Sequence, residues 1–234
     1  MEDITPGLID AIAEEFQQLY NEDKLIQGLL EKIKDGTATY REAYRYSFRV
    51  SQLIGAAYEN HVSSASLPDG RMYYNIASRL IPETMDSNHS LVTDFVRKVQ
   101  EELNRAAGLG LKAQEVPADK DRINGLVELA SDAETYDDIE GTLLAAFENY
   151  NLHIVDESIH RNAEFQYKAG LRPTITRKAE RKCCKWCHSL AGEYSYPDVH
   201  EDVYRRHENC RCLVEYDPAD SRGRKQNVHS KSWN

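Results

Sequence analysis

All five cysteines of this 234-residue chain lie between Cys183 and Cys212, and everything before them has none. Four of them build two knuckles, Cys184-Lys-Trp-Cys187 and, about twenty residues on, His207-Glu-Asn-Cys210-Arg-Cys212. A Cys-x2-Cys turn puts two thiolates on one side of a tight bend, the spacing tetrahedral zinc takes from adjacent ligands. His207-x2-Cys210 repeats that spacing, and Cys212 shares a face with Cys210 if the segment is extended. The C-terminal segment is therefore expected to be a small module that a structural zinc pins together. Spacing assigns one zinc to Cys184, Cys187 and Cys210, with His207 or Cys212 completing the tetrahedron. Cys183 is expected outside that shell, because Cys183-x3-Cys187 is the poorer spacing. Disulfides and free thiols are the competing readings. An odd cysteine count and the lack of an N-terminal signal segment fit a disulfide framework poorly. Catalytic cysteine chemistry finds His188 and His200 nearby in sequence but no third orienting group.

Charge divides the chain at the same place. The net charge of −10 combines an acidic stretch over 1–169, 16 Lys and Arg against 30 Asp and Glu, with a basic one over 170–234, 13 against 9. Two such surfaces point to different partners. The basic end is compatible with double-stranded DNA held without sequence preference. Mean hydropathy is −0.66, and no apolar run approaches the length of a membrane span. Tyrosine is frequent, 14 residues against 5 Phe. It suits half-buried surfaces and interfaces, and equally a modest core.

The pattern predicts a mainly α protein: a helical bundle or irregular helical array over 1–170, then a zinc-stapled β module over 171–218 and a flexible basic tail over 219–234. Thr5-Pro6 reads as an N-cap followed by Pro at the first helical position. A second helix stops at Asp35-Gly36. Thr39 with Glu42 forms a capping box for a helix running to about Ser63. Its Tyr40 to Arg49 face is a candidate protein-binding surface. Further helices are expected from Met72 to Leu80, from a Ser87 cap to Gly108, after Pro117, and near 136–149 and 151–169. Past Gly170, Pro173 to Lys178, Gly192 to Pro197 and Arg211 to Tyr216 read as short strands, with one helical turn between Val199 and Arg206.

The stretch Cys184-Lys-Trp-Cys187-His-Ser-Leu-Ala-Gly192, a spacer, then Arg206-His207-Glu-Asn-Cys210-Arg-Cys212 resembles the C-terminal signature of the phage Mu protein F-like head morphogenesis family. These proteins are also described as phage minor head or minor capsid proteins. The match covers 171–218; many members carry Pro after the closing His, where this chain has Glu208. The resemblance implies a protein made in the cytoplasm of a bacterial host, from a phage or prophage, and built into the head interior in few copies near the portal. Its implied partners are the portal protein, other capsid or scaffold proteins and packaged DNA, which such proteins are thought to accompany during ejection. Some related proteins carry a toxin enzyme after the signature, and none is expected here.

Two other function classes compete with this structural one. A zinc-containing regulator would need an Arg- and Lys-rich recognition helix, and 198–206 is short and acidic. A metal-dependent nuclease would need a free general-base histidine beside a metal-held phosphate, and His207 is better used as a ligand. No catalytic residue and no enzyme activity are therefore expected.

Overall fold

The computed structural model describes residues 3–207 and 209–218. The basic tail expected over 219–234 lies outside the described residues. The chain is mainly helical, with seven α-helices and a small three-stranded sheet among the described residues.

Helices α1 (Thr5–Glu22), α2 (Lys24–Lys34) and α3 (Tyr40–His61) follow the punctuation of the sequence closely. Thr5 is already helical and Ile4 is the residue before it, so the helix starts one position earlier than the Thr5-Pro6 pattern suggests. At the end of α2, Gly36 sits at φ +64°, a conformation that favours residues without a Cβ. There Thr37 N–H reaches Lys32 O at 2.9 Å and closes the turn. The capping box on α3 is complete. Thr39 N–H and hydroxyl both donate to Glu42, at 3.1 and 2.5 Å, and Lys32 Nζ adds a third donor at 2.8 Å. Burial pushes the Glu42 carboxyl up, but Lys32 and Thr39 outweigh it and hold the group at about 2. A depressed carboxylate adds stability above its unfolded value, lost as pH falls through the folded one. Glu42's share should therefore fade between about pH 4.5 and pH 2. Thr39→Ala should cost about 1 kcal/mol, read as a lower urea midpoint at neutral pH with an unchanged slope.

Two helices are longer than the sequence pattern suggests. Met72–Leu80 and the segment after Ser87 are one helix, α4 (Tyr74–Ala106), with Pro82 inside it. An interior proline costs about 3 kcal/mol. Here the buried stripe Ile76, Leu80, Ile81, Met85, Val92, Phe95 and Val99 runs past it unbroken, and burial along 33 residues outweighs the lost bond. The segments near 136–149 and 151–169 likewise join as α6 (Glu140–Lys168). Asn151 does not cap a new helix. It is fully buried, donating to Ser51 Oγ at 2.7 Å and accepting from Asn88 Nδ2 at 2.7 Å. Between them α5 (Lys120–Asp132), capped by Asp119, packs mainly on α4.

Helices α1, α3, α4 and α6 enclose the core, where Tyr46 stacks on Phe95 at 4.1 Å and Tyr58 meets Phe147 edge-on at 5.1 Å. Eight of the fourteen tyrosines are buried, so this residue chiefly builds the interior. On the Tyr40 to Arg49 stretch, Arg41 and Arg45 are the exposed side chains. Tyr40, Tyr44 and Tyr46 point inward, Arg41 pairs with Glu215 and Arg49 with Asp23.

After Gly170 the chain forms β1 (Thr174–Lys178), α7 (Lys185–Ser189), β2 (Gly192–Ser195), a 3₁₀ turn (Glu201–Tyr204) and β3 (Leu213–Asp217). The sheet is antiparallel in the order β2-β1-β3. Ile175 on β1 and Val214 and Tyr216 on β3 join the helical core, and Tyr216 packs edge-on against Tyr40 at 6.0 Å. One apolar core thus runs through the change in secondary structure. Among the described residues no helix is long and apolar enough to cross a membrane.

Candidate metal centre

The cysteines gather in a cluster of their own, separate from that core. Cys184 caps α7, its sulfur accepting Cys187 N–H at 3.4 Å. Cys187, one turn in, is fully buried and sits at the middle of the cluster. The other knuckle closes on it through a turn in which Cys210 N–H meets His207 O at 3.2 Å and Asn209 takes φ +58°, a left-handed conformation Asn tolerates. His207 Nε2 then lies 3.0 Å from Cys187 Sγ and 3.3 Å from Cys184 Sγ, while Cys210 Sγ lies 3.7 Å from Cys187 Sγ. Cys212, just before β3, has its sulfur within 4.8 Å of that of Cys187.

All five residues named from the spacing, Cys184, Cys187, His207, Cys210 and Cys212, are brought together, and every cysteine is a free thiol. Cys183 departs from expectation: its sulfur lies within 4.8 Å of those of Cys187 and Cys212, inside the cluster. Two groups could hold a metal ion, Cys184–Cys187–His207 and Cys183–Cys187–Cys212. Zn–S bonds of about 2.3 Å at tetrahedral angles put sulfurs about 3.75 Å apart. The Cys187–Cys210 separation matches that edge.

Arg177 gives a second, independent fit. It occupies an inward position of β1 and is 1% exposed. Its Nη1 donates to Val203 O at 2.5 Å and Arg205 O at 3.0 Å, and its Nη2 points at Cys187 Sγ (3.8 Å) and Cys210 Sγ (3.7 Å). A guanidinium does not deprotonate in proteins, and an unpaired buried cation is costly. Thiolates would balance it, whereas burial and its cysteine neighbours push the metal-free Cys187 thiol up, against Arg177. A bound cation would resolve the conflict by keeping the sulfurs ionised. Sequence reasoning missed Arg177 because a charged residue is rarely fully buried; its place on the same strand face as Ile175, seven residues before Cys184, was the available signal.

Three further residues position the ligands. Trp186, between the knuckle cysteines, lies under Arg177 at 5.6 Å and edge-on to His207 at 5.8 Å, screening the cluster on that side. Arg206, beside His207, forms a bidentate pair with Asp156 of α6, donates to Cys210 O at 3.2 Å and lies over the Tyr44 ring at 4.8 Å. Tyr44 hydroxyl donates to Asp156 at 2.5 Å. Arg211 packs over Phe48 at 4.1 Å and pairs with Glu148. The knuckle is thereby bolted to α3 and α6 on both sides of Cys210.

No protein-family model, curated protein or solved structure matches the chain.

Proposed function

We propose that this chain is a phage minor head protein whose C-terminal module is held by structural zinc. Its role is assembly at the portal, inside the virion head, with contacts to portal, capsid or scaffold proteins and to double-stranded DNA that it accompanies on ejection. The observation that carries this reading is the paired signature, Cys184-x2-Cys187 with His207-x2-Cys210-Arg-Cys212, whose donors converge on one cluster. Sulfur-rich ligation with one imidazole favours zinc over the harder divalent cations. We assign the chain no hydrolytic or transferase activity. The histidine a nuclease would need as base, His207, lies 3.0 Å from the Cys187 sulfur, where it serves as a ligand. A regulator's recognition helix is equally lacking support: α7 has five residues and the segment before His207 is one 3₁₀ turn.

Purified protein should capture a portal protein in a pull-down and should leave plasmid DNA intact with Mg²⁺ or Mn²⁺. Binding to DNA should weaken steeply with salt. Removing 219–234, which contains Arg222, Arg224, Lys225 and Lys231, should lower the salt slope by about 0.9 for each phosphate the protein no longer neutralises. Mg²⁺-dependent cleavage, or failure to bind any portal or capsid component, would remove this reading.

A further inference from the structure

We propose that the cluster holds two metal ions, bridged by the Cys187 thiolate, where spacing alone gives one. The proposal rests on the metal-site reading above and extends it to a second site, completed by Cys183. Cys187 belongs to both ligand groups, Cys184–Cys187–His207 and Cys183–Cys187–Cys212, each with its donor atoms mutually within 4.8 Å. The residues that distinguish the groups include two chain neighbours, Cys183 and Cys184. Cys184 is extended, at φ −71° and ψ 168°, and side chains of neighbouring residues in extended backbone leave on opposite sides. The two sulfurs therefore flank Cys187 from different directions and do not converge on a single ion.

Counting donors leads to the same place. Five sulfurs and one imidazole nitrogen surround the cluster, and one tetrahedral zinc takes only four of them. One ion would leave two thiols over, with the buried pair Cys210 and Cys212 and the Cys183 sulfur competing for places. Cys210 Sγ lies 3.7 Å from Cys187 Sγ but belongs to neither group, so Cys187 alone is shared and each ion has three of the donors. One ion then takes Cys184 and His207 as terminal ligands, the other Cys183 and Cys212. Arg177 Nη2 lies 3.8 Å from the shared Cys187 sulfur and 3.7 Å from that of Cys210. It acts as a positioning residue, holding the bridging Cys187 sulfur in place. On binding, each thiol gives its proton to solvent. The odd cysteine that sits badly in a disulfide framework has a place in this arrangement.

Metal content of the full-length protein, purified without chelator from zinc-supplemented cells, decides the matter. Two zinc ions per chain are expected, falling to one in Cys183→Ser with unchanged circular dichroism. Protein loaded with ¹¹³Cd²⁺ should give two resonances split by coupling through the shared sulfur, a readout that needs no variant. One ion per chain, unaffected by Cys183→Ser, would retire the second site and leave the single-ion centre standing. Two ions that survive Cys183→Ser would place the second elsewhere and overturn the bridge. No bound metal would overturn the metal centre itself.

Discussion

Cys187→Ser is expected to empty the metal centre and make residues 171–218 protease-sensitive, while most of the helical circular dichroism persists. Cys187 lies in both groups that could hold a metal and is within 3.0 to 3.7 Å of His207 and Cys210. No other single change removes so much of the cluster. Structural zinc contributes about 10–16 kcal/mol of apparent binding free energy in small finger peptides, more than the net stability of many whole domains. The strands of this module span only four or five residues each, little to order a sheet by themselves. The helices have their own interior, with Tyr46 on Phe95 and Tyr58 on Phe147 remote in sequence from the sheet. They will still register the loss, because Ile175, Val214 and Tyr216 belong to the same core. A fall in Tm of about 2–4 °C per kcal/mol is expected for a chain of this size. Limited proteolysis with metal analysis checks it. Metal retained by the variant would contradict the role given to Cys187. Loss of the helical signal together with the module would show that the shared core is too cooperative for the body to stand alone.

The second large effect is expected at Asp156, outside the ligand set. Asp156 is completely buried and its partner Arg206 nearly so, with side chains 0% and 2% exposed. Burial works against the Arg206 cation, and the Asp156 carboxylate more than offsets it. Asp156→Ala removes the counter-ion and leaves a buried guanidinium facing the Tyr44 ring and the Cys210 carbonyl. Breaking one side of a buried pair costs about 3–5 kcal/mol, which chemical denaturation would read directly. Replacing the pair together, Asp156→Leu with Arg206→Met, should recover much of that, because the desolvation cost of both ions disappears. The single variant should also weaken metal binding by about 10–100-fold, the range for lost support of a ligand shell. Arg206 adjoins His207 and holds the carbonyl of Cys210, so the knuckle loses its anchor to α6. A stability loss with unchanged metal affinity would make this pair a fold element only.

Local punctuation in the chain is legible without a structure because each signal acts within a few residues. Thr39 and Glu42 satisfy exposed N–H groups three positions apart, and Gly36 allows a left-handed turn. The knuckle spacing brings thiolates together wherever the rest of the chain goes. The mainly helical body, the three strands and the gathering of the cysteines with His207 all follow from such short-range chemistry. The misreadings share one cause. Breaks are expected after Leu80 and after 149, and in an isolated helix Pro82 and Asn151 are indeed unfavourable. Packing of α4 and α6 against the core, and the bonds from Asn151 to Ser51 and Asn88, reverse both preferences.

Long-range pairings could not be seen in the same way. Arg177 lies ten residues from Cys187 and 33 from Cys210, and Arg206 lies fifty from Asp156. No periodicity links such positions, since each depends on how β1, β3 and α6 are brought together. Sequence spacing therefore determined which residues can ligate, because adjacent ligands need only a turn. The folded arrangement decided that Cys183 joins them, that Arg177 faces their sulfurs and that Asp156 secures the knuckle. Burying a cation or a thiol is tolerable only beside a compensating group, and only the tertiary structure supplies that neighbour.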